Sequence, residues 1–148
     1  MVFFSKKAYK KIQRYVNDKY EVGGILLGSC RLCFWRVKAI TCAVPDSKSN
    51  YKFTLDSNEH KVQIKLLEKR GVYPLGIWHS HISDMNEFSS QDKIANEQMV
   101  RLNGKILSVI VNQNSGDIKI SPYLVFADKN GKIVTKKQKC FSKSKQVV

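Results

Sequence analysis

Two histidines stand two residues apart, His79 and His81, and after seven intervening residues come Ser89 and, three further on, Asp92. Side chains at i and i+2 of a strand share a face, so His79 and His81 present two imidazoles side by side, as a metal ion takes them from a strand end. Ser89 and Asp92 are three apart. If the chain turns back after the loop, the first turn of a helix starting there comes over the strand end and adds the Asp92 carboxylate as an oxygen ligand. Three protein ligands leave a fourth position for water. That open position separates a catalytic zinc from a structural one, because zinc lowers the pKa of water toward about 7 and polarises a neighbouring carbonyl. Two plainer readings stand beside this one. Ser89-x-x-Asp92 has the form of a capping box with Asp in place of Glu, and a single buried histidine is usually structural. The joint pattern shifts the balance, since it uses two of the chain's 3 histidines in register with both Ser89 and Asp92. The remaining histidine, His60, reads as an ordinary exposed side chain.

Hydrolysis at a metal also needs a group that moves protons. Glu21 is the best placed glutamate, directly before the run Val22-Gly-Gly-Ile-Leu-Leu-Gly28. Glycines beside a carboxylate let another backbone approach closely, and a solvated carboxylate at a helix–strand junction is the alternative.

The elements that would position these residues follow from periodicity. Residues 5–19 carry Ala8, Ile12, Tyr15 and Val16 in a one-sided stripe, a first helix with Ser5 as N-cap. Val22–Gly28 and Cys33–Ile40 read as paired core strands with a tight connection at Gly28-Ser29. A polar connection over 44–55 leads to Asp56-Ser-Asn-Glu59, which has capping-box spacing before a second helix that closes at Gly71. Val72–Trp78 is a strand running into His79 and His81. A polar loop over 82–88 precedes a third helix from about Ser89 to Arg101, with Ile94, Met99 and Val100 on its apolar side. Ile106–Val111 and Ile118–Phe126 are strands around a turn at Asn112–Gly116, and Asp128-Lys-Asn-Gly131 is a hairpin turn into Ile133-Val134. This order predicts a mixed α/β domain over residues 1–135, with residues 136–148 as a disordered basic tail.

Glu21-Val-Gly-Gly-Ile-Leu-Leu-Gly28, followed by His79-x-His81-x7-Ser89-x2-Asp92, resembles the JAMM motif of the JAB/MPN+ metalloprotease family, including its upstream glutamate. The similarity spans most of residues 5–126 and takes in Tyr51-Lys-Phe-Thr-Leu-Asp56 and Gly76-Ile-Trp-His-Ser-His81. The resemblance implies a single α/β JAB/MPN domain, cytidine-deaminase-like, with a central mixed sheet flanked by helices. It implies one catalytic zinc on His79, His81 and Asp92, with Glu21 as acid/base and Ser89 steadying the oxyanion. It further implies an isopeptidase or peptidase that cuts after the C-terminal Gly of a ubiquitin-like protein. The chain is most similar to small standalone prokaryotic members. Those occur with ubiquitin-activating-like and conjugating enzymes in antiphage defence operons, or with sulfur-carrier pathways. Deconjugation is the expected role, with the ubiquitin-like protein or its conjugate as substrate. A deaminase is disfavoured because the His-x-Glu and Pro-Cys-x-x-Cys ligands are absent.

Composition bounds the rest. The chain's 148 residues are 43% hydrophobic with 3 Pro and 8 Gly, which excludes a disordered, collagen-like or low-complexity chain. No apolar run is long enough for a membrane span or a secretion signal, so no membrane partner and a cytoplasmic location are expected. The four cysteines then read as free thiols, and Cys30-Arg-Leu-Cys33 lacks the second close pair that a structural zinc site needs. The net charge of +14 gathers at the ends of the chain. Such a field attracts anionic partners, so the alternative function is a basic, nucleic-acid-associated JAB-domain protein. That alternative is not favoured, since the tail carries a single aromatic, Phe141.

Overall fold

The structure, a computed structural model, describes residues 1–42, 64–82, 87–114, 116–142 and 146–147. Its elements in chain order are β1 (Val2–Phe4), α1 (Lys6–Tyr15), β2 (Gly23–Arg31), β3 (Phe34–Ile40), the described part of α2 (64–68), β4 (Tyr73–His81), α3 (Ser90–Asn103), β5 (Ile106–Asn114), β6 (Asp117–Ala127), β7 (Ile133–Lys137), β8 (Cys140–Ser142) and β9 (Gln146–Val147). The strands form one mixed sheet in the order β7, β6, β5, β4, β2, β3, β1, β8, β9. β4 is an inner strand, antiparallel to β2 and parallel to β5. A mixed sheet with few helices is the fold expected from the sequence.

Both faces of the sheet are covered. On one, α1 lays Ala8, Tyr9 and Ile12 against Val2, Phe4, Leu26, Val37 and Trp78. Ser5 caps this helix by accepting the Ala8 amide at 3.1 Å. The helix stops at Tyr15, earlier than residue 19, because the Asn17 side chain accepts the amides of Lys19 and Tyr20 and turns the chain. Trp78 is fully buried, and its indole donates to the Thr41 carbonyl at 2.9 Å. On the other face, Ile25, Leu27 and Ile77 meet Ile64 and Leu67 of α2 and Met99 of α3. His79 and His81 follow Ile77 at strand period and rise on this second face. Among the described residues no helix is long and apolar enough to cross a membrane.

Three expectations change. The turn between β2 and β3 is Leu32-Cys33, with Leu32 at φ 56, and Gly28 lies within β2 at a register shift. A Cβ on Gly28 would lie 1.8 Å from the Arg36 carbonyl oxygen, so this glycine serves a close strand approach, not a turn. Val2–Phe4 forms a strand that three apolar residues at a chain end do not announce. It pairs in parallel with β3 and β8, contacts the local pattern cannot show. Residues 136–142, expected as tail, are partly strand: β7 runs to Lys137, and β8 adds to the β1 edge with Cys140 buried. The lysines masked this alternation. The second helix's start, the Tyr51–Asp56 segment and His60 lie outside the described residues. None of the four cysteines is in a disulfide, and burial pushes the Cys140 thiol up to about 12.

Gly28→Ala forces β2 and β3 apart. It is expected to destabilise the fold by about 1–3 kcal/mol, measured as a lower thermal midpoint, and an unchanged midpoint would reject the close-approach role.

Candidate metal centre

The site is built at the C-terminal end of β4. β2 delivers Glu21 to it: Gly23 pairs with His79, the Val22 amide donates to Ser80 Oγ at 2.9 Å, and the Ser80 amide donates to the Val22 carbonyl at 2.8 Å. Continuing that antiparallel register puts Glu21 opposite His81, on the sheet face that carries His79 and His81. Ser80, pointing the other way, ties the two strands together immediately beside the site.

α3 delivers the third ligand. Ser89 caps the helix with a complete capping box, in which Ser89 Oγ accepts the Asp92 amide at 3.1 Å and Asp92 Oδ2 accepts the Ser89 amide at 2.9 Å. The same Oδ2 lies 3.3 Å from His79 Nε2 and 3.2 Å from His81 Nε2, and the two Nε2 atoms are 2.9 Å apart. The cap and the ligand are therefore one carboxylate. Phe88 stacks between this cluster and β6, its ring 6.3 Å from that of His79 and edge-on to Tyr123 at 5.0 Å.

Charge follows from the geometry. Burial alone would raise the Asp92 carboxyl, but hydrogen bonds from His79 and His81 and from the Ser89 amide outweigh it and hold this group well below the usual carboxylate range. Glu21 goes the other way. Burial raises its carboxyl above its ordinary value, against the pull of the His81 and His79 imidazoles. Two carboxylates within reach of the same imidazoles are thus pushed apart, Asp92 held ionised and Glu21 raised toward protonation.

The donor set fits a metal ion. Among the described residues, His79, His81 and Asp92 are the group whose ligand atoms all lie within 4.8 Å of one another. A tetrahedral zinc with ligands at about 2.0–2.2 Å spaces them roughly 3.3–3.6 Å apart, close to the 2.9–3.3 Å triangle here. Two imidazoles with one carboxylate are also the donor types of a hydrolytic site. All five residues singled out from the sequence are brought to one place. Asn96, a buried polar residue of α3, is not among the residues singled out from the sequence. The sequence pattern puts Ile94 on the apolar side of α3, yet Ile94 is 57% exposed, while Asn96 is 2% exposed. A polar residue one helical turn after Asp92 was the available signal.

A family model, prokaryotic homologs of the JAB domain, matches residues 7–122. Among solved structures, the fold is similar to the solution structure of protein DSY2949 from Desulfitobacterium hafniense, with a TM-score of 0.73 and 19% identity over 97% of this chain and 93% of that one. No curated protein matches the sequence. The match begins in α1, takes in Glu21, both histidines, Ser89 and Asp92, and ends in β6, so it holds both the site and the sheet that builds it: the chain belongs to the prokaryotic JAB family.

Proposed function

We propose that this protein is a zinc-dependent isopeptidase or peptidase that cleaves after the C-terminal Gly of a ubiquitin-like protein, with the conjugate or precursor of that protein as substrate. The observation that carries hydrolysis is the convergence of His79, His81 and Asp92 at 2.9–3.3 Å on the face that also receives Glu21. The substrate class follows from the resemblance of Glu21 through Asp92 to the JAMM pattern.

His79, His81 and Asp92 would hold the zinc. When bound, zinc supplies Lewis acidity, which acidifies water and polarises the scissile carbonyl. The Glu21 carboxylate accepts the proton of the attacking water and then delivers it to the leaving amine. Its raised affinity for protons suits it to both transfers. The Ser89 hydroxyl donates to the developing oxyanion, while its oxygen keeps accepting the Asp92 amide that orients the ligand. Asp92, depressed by its partners, stays ionised throughout.

Glu21→Ala removes a proton carrier and no ligand. Zinc content should stay at one per chain while turnover falls about 10²–10⁴-fold, and near-normal turnover would remove Glu21 from the mechanism. His81→Ala removes a ligand, so elemental analysis should show zinc binding weakened by more than about 100-fold, beyond an outer-shell effect; undiminished zinc would move the site elsewhere.

The substrate is tested by using zinc-loaded Glu21→Ala as a trap in the native host and identifying co-purifying species by mass spectrometry. A partner joined through a C-terminal Gly to a lysine or a chain end is the expected catch. Recovery of nucleic acid alone, removable by salt, would favour the nucleic-acid-associated reading. The cleft lined by Lys7, Lys11, Lys38 and Arg70 would then be its contact surface.

A further inference from the structure

We infer that Asn96 is a positioning residue for the metal centre, holding Asp92 against His79 and His81 through its hydrogen bond to Ser108; this rests on the zinc site proposed above. α3 buries two side chains, Asn96 and Val100. Val100 and Met99 anchor its C-terminal half in the cluster with Ile106, Val125 and Ile133. In the half that carries Asp92, Ile94 is exposed and the buried side chain is polar; the apolar contact at that end comes from Phe88, ahead of the cap and edge-on to Tyr123. Ser108 Oγ donates to Asn96 Oδ1 at 2.9 Å, with Ser108 fully buried and Asn96 nearly so.

The bond lies directly behind the site. Ser108 on β5 pairs with Ile77 on β4, and His79 is the next residue of β4 on that face. Asp92 precedes Asn96 by one helical turn, about 6 Å along the axis. The link therefore stands one turn below the carboxylate and one strand step below the first imidazole. A helix turn is stiff, so any slide or rotation of α3 at Asn96 reaches Asp92. The capping box orders Asp92 only relative to its own helix, whereas the Asn96–Ser108 bond orders the helix relative to the sheet that holds both histidines.

Stability alone does not account for this pair. Asn96 Nδ2 is buried with no hydrogen-bond partner among the described residues, which carries a desolvation cost that an apolar side chain of similar size would not incur. A directional bond sets distance and angle, whereas apolar packing at this position would tolerate sliding.

Zinc affinity, measured by competition with a chromophoric chelator, tests the role on Asn96→Leu and Ser108→Ala, with Val100→Ala as the control that loosens the other end of α3. Thermal unfolding of the metal-free proteins is followed in parallel. Asn96→Leu and Ser108→Ala are each expected to weaken zinc about 10–100-fold, whereas Val100→Ala lowers the unfolding midpoint and leaves zinc affinity within about threefold. Should Asn96→Leu not fold, Ser108→Ala cuts the same bond with less change in volume. Wild-type affinity in both bond variants, or an equal loss of affinity in Val100→Ala, would overturn the inference while leaving the zinc site standing. A wild-type chain that binds no zinc would overturn both.

Discussion

One oxygen atom, Asp92 Oδ2, lies between the Ser89 amide and the imidazoles of His79 and His81, at 2.9, 3.3 and 3.2 Å. Nearly every other feature of the fold is needed to keep it there. The oxygen belongs to a helix and the imidazoles to a strand, and eleven positions of sequence separate His81 from Asp92. Local chain geometry cannot hold such parts in register, so tertiary packing must. The inner position of β4 does much of this, with β2 paired on one side and β5 on the other.

A capping residue and a metal ligand are usually alternative explanations of a Ser-x-x-Asp pattern. Here one carboxylate oxygen meets both requirements, closing the cap and standing within 3.3 Å of both imidazoles. The capping box restricts the Asp92 rotamer before any metal arrives, so the carboxylate is ordered by the helix end and does not have to be ordered on binding. The free energy that a flexible side chain would lose on coordination is reduced accordingly. The same arrangement explains the opposite displacements of the two acids. Asp92 receives several hydrogen bonds and is held ionised, while Glu21 is mainly desolvated and gains affinity for protons.

The basic residues are distributed differently from the chemistry. Lysines of α1 and β3 and Arg70 surround a cleft of about 300 Å³ floored by Ala8, Ala39, Ile40, Leu66 and Leu67, and the site residues are not part of it. Lys11 is already engaged there, donating to the Ile40 carbonyl at 3.1 Å. Charge of this kind draws anionic partners toward the protein without doing chemistry on them.

The sequence by itself determined the candidate ligand set and most of the elements. His79 and His81 had to share a strand face because strands have a period of two, and Ser89 with Asp92 marked a helix start because that spacing closes a cap. Six β strands at the right places, β2 to β7, followed from apolar and alternating runs, and the hairpin at Asp128–Gly131 from its turn residues, seen in the Gly131 amide bond to the Asp128 carbonyl. Only the tertiary structure decided which glycine made a turn and which a close approach, that Val2–Phe4 and Cys140–Ser142 would find each other across the chain, and that Asn96 would be inside while Ile94 stayed out. Those choices depend on pairings between residues far apart in the chain, and periodicity carries no information about which distant strand will lie alongside. The residue types set what the site can do; the sheet order decided that they meet.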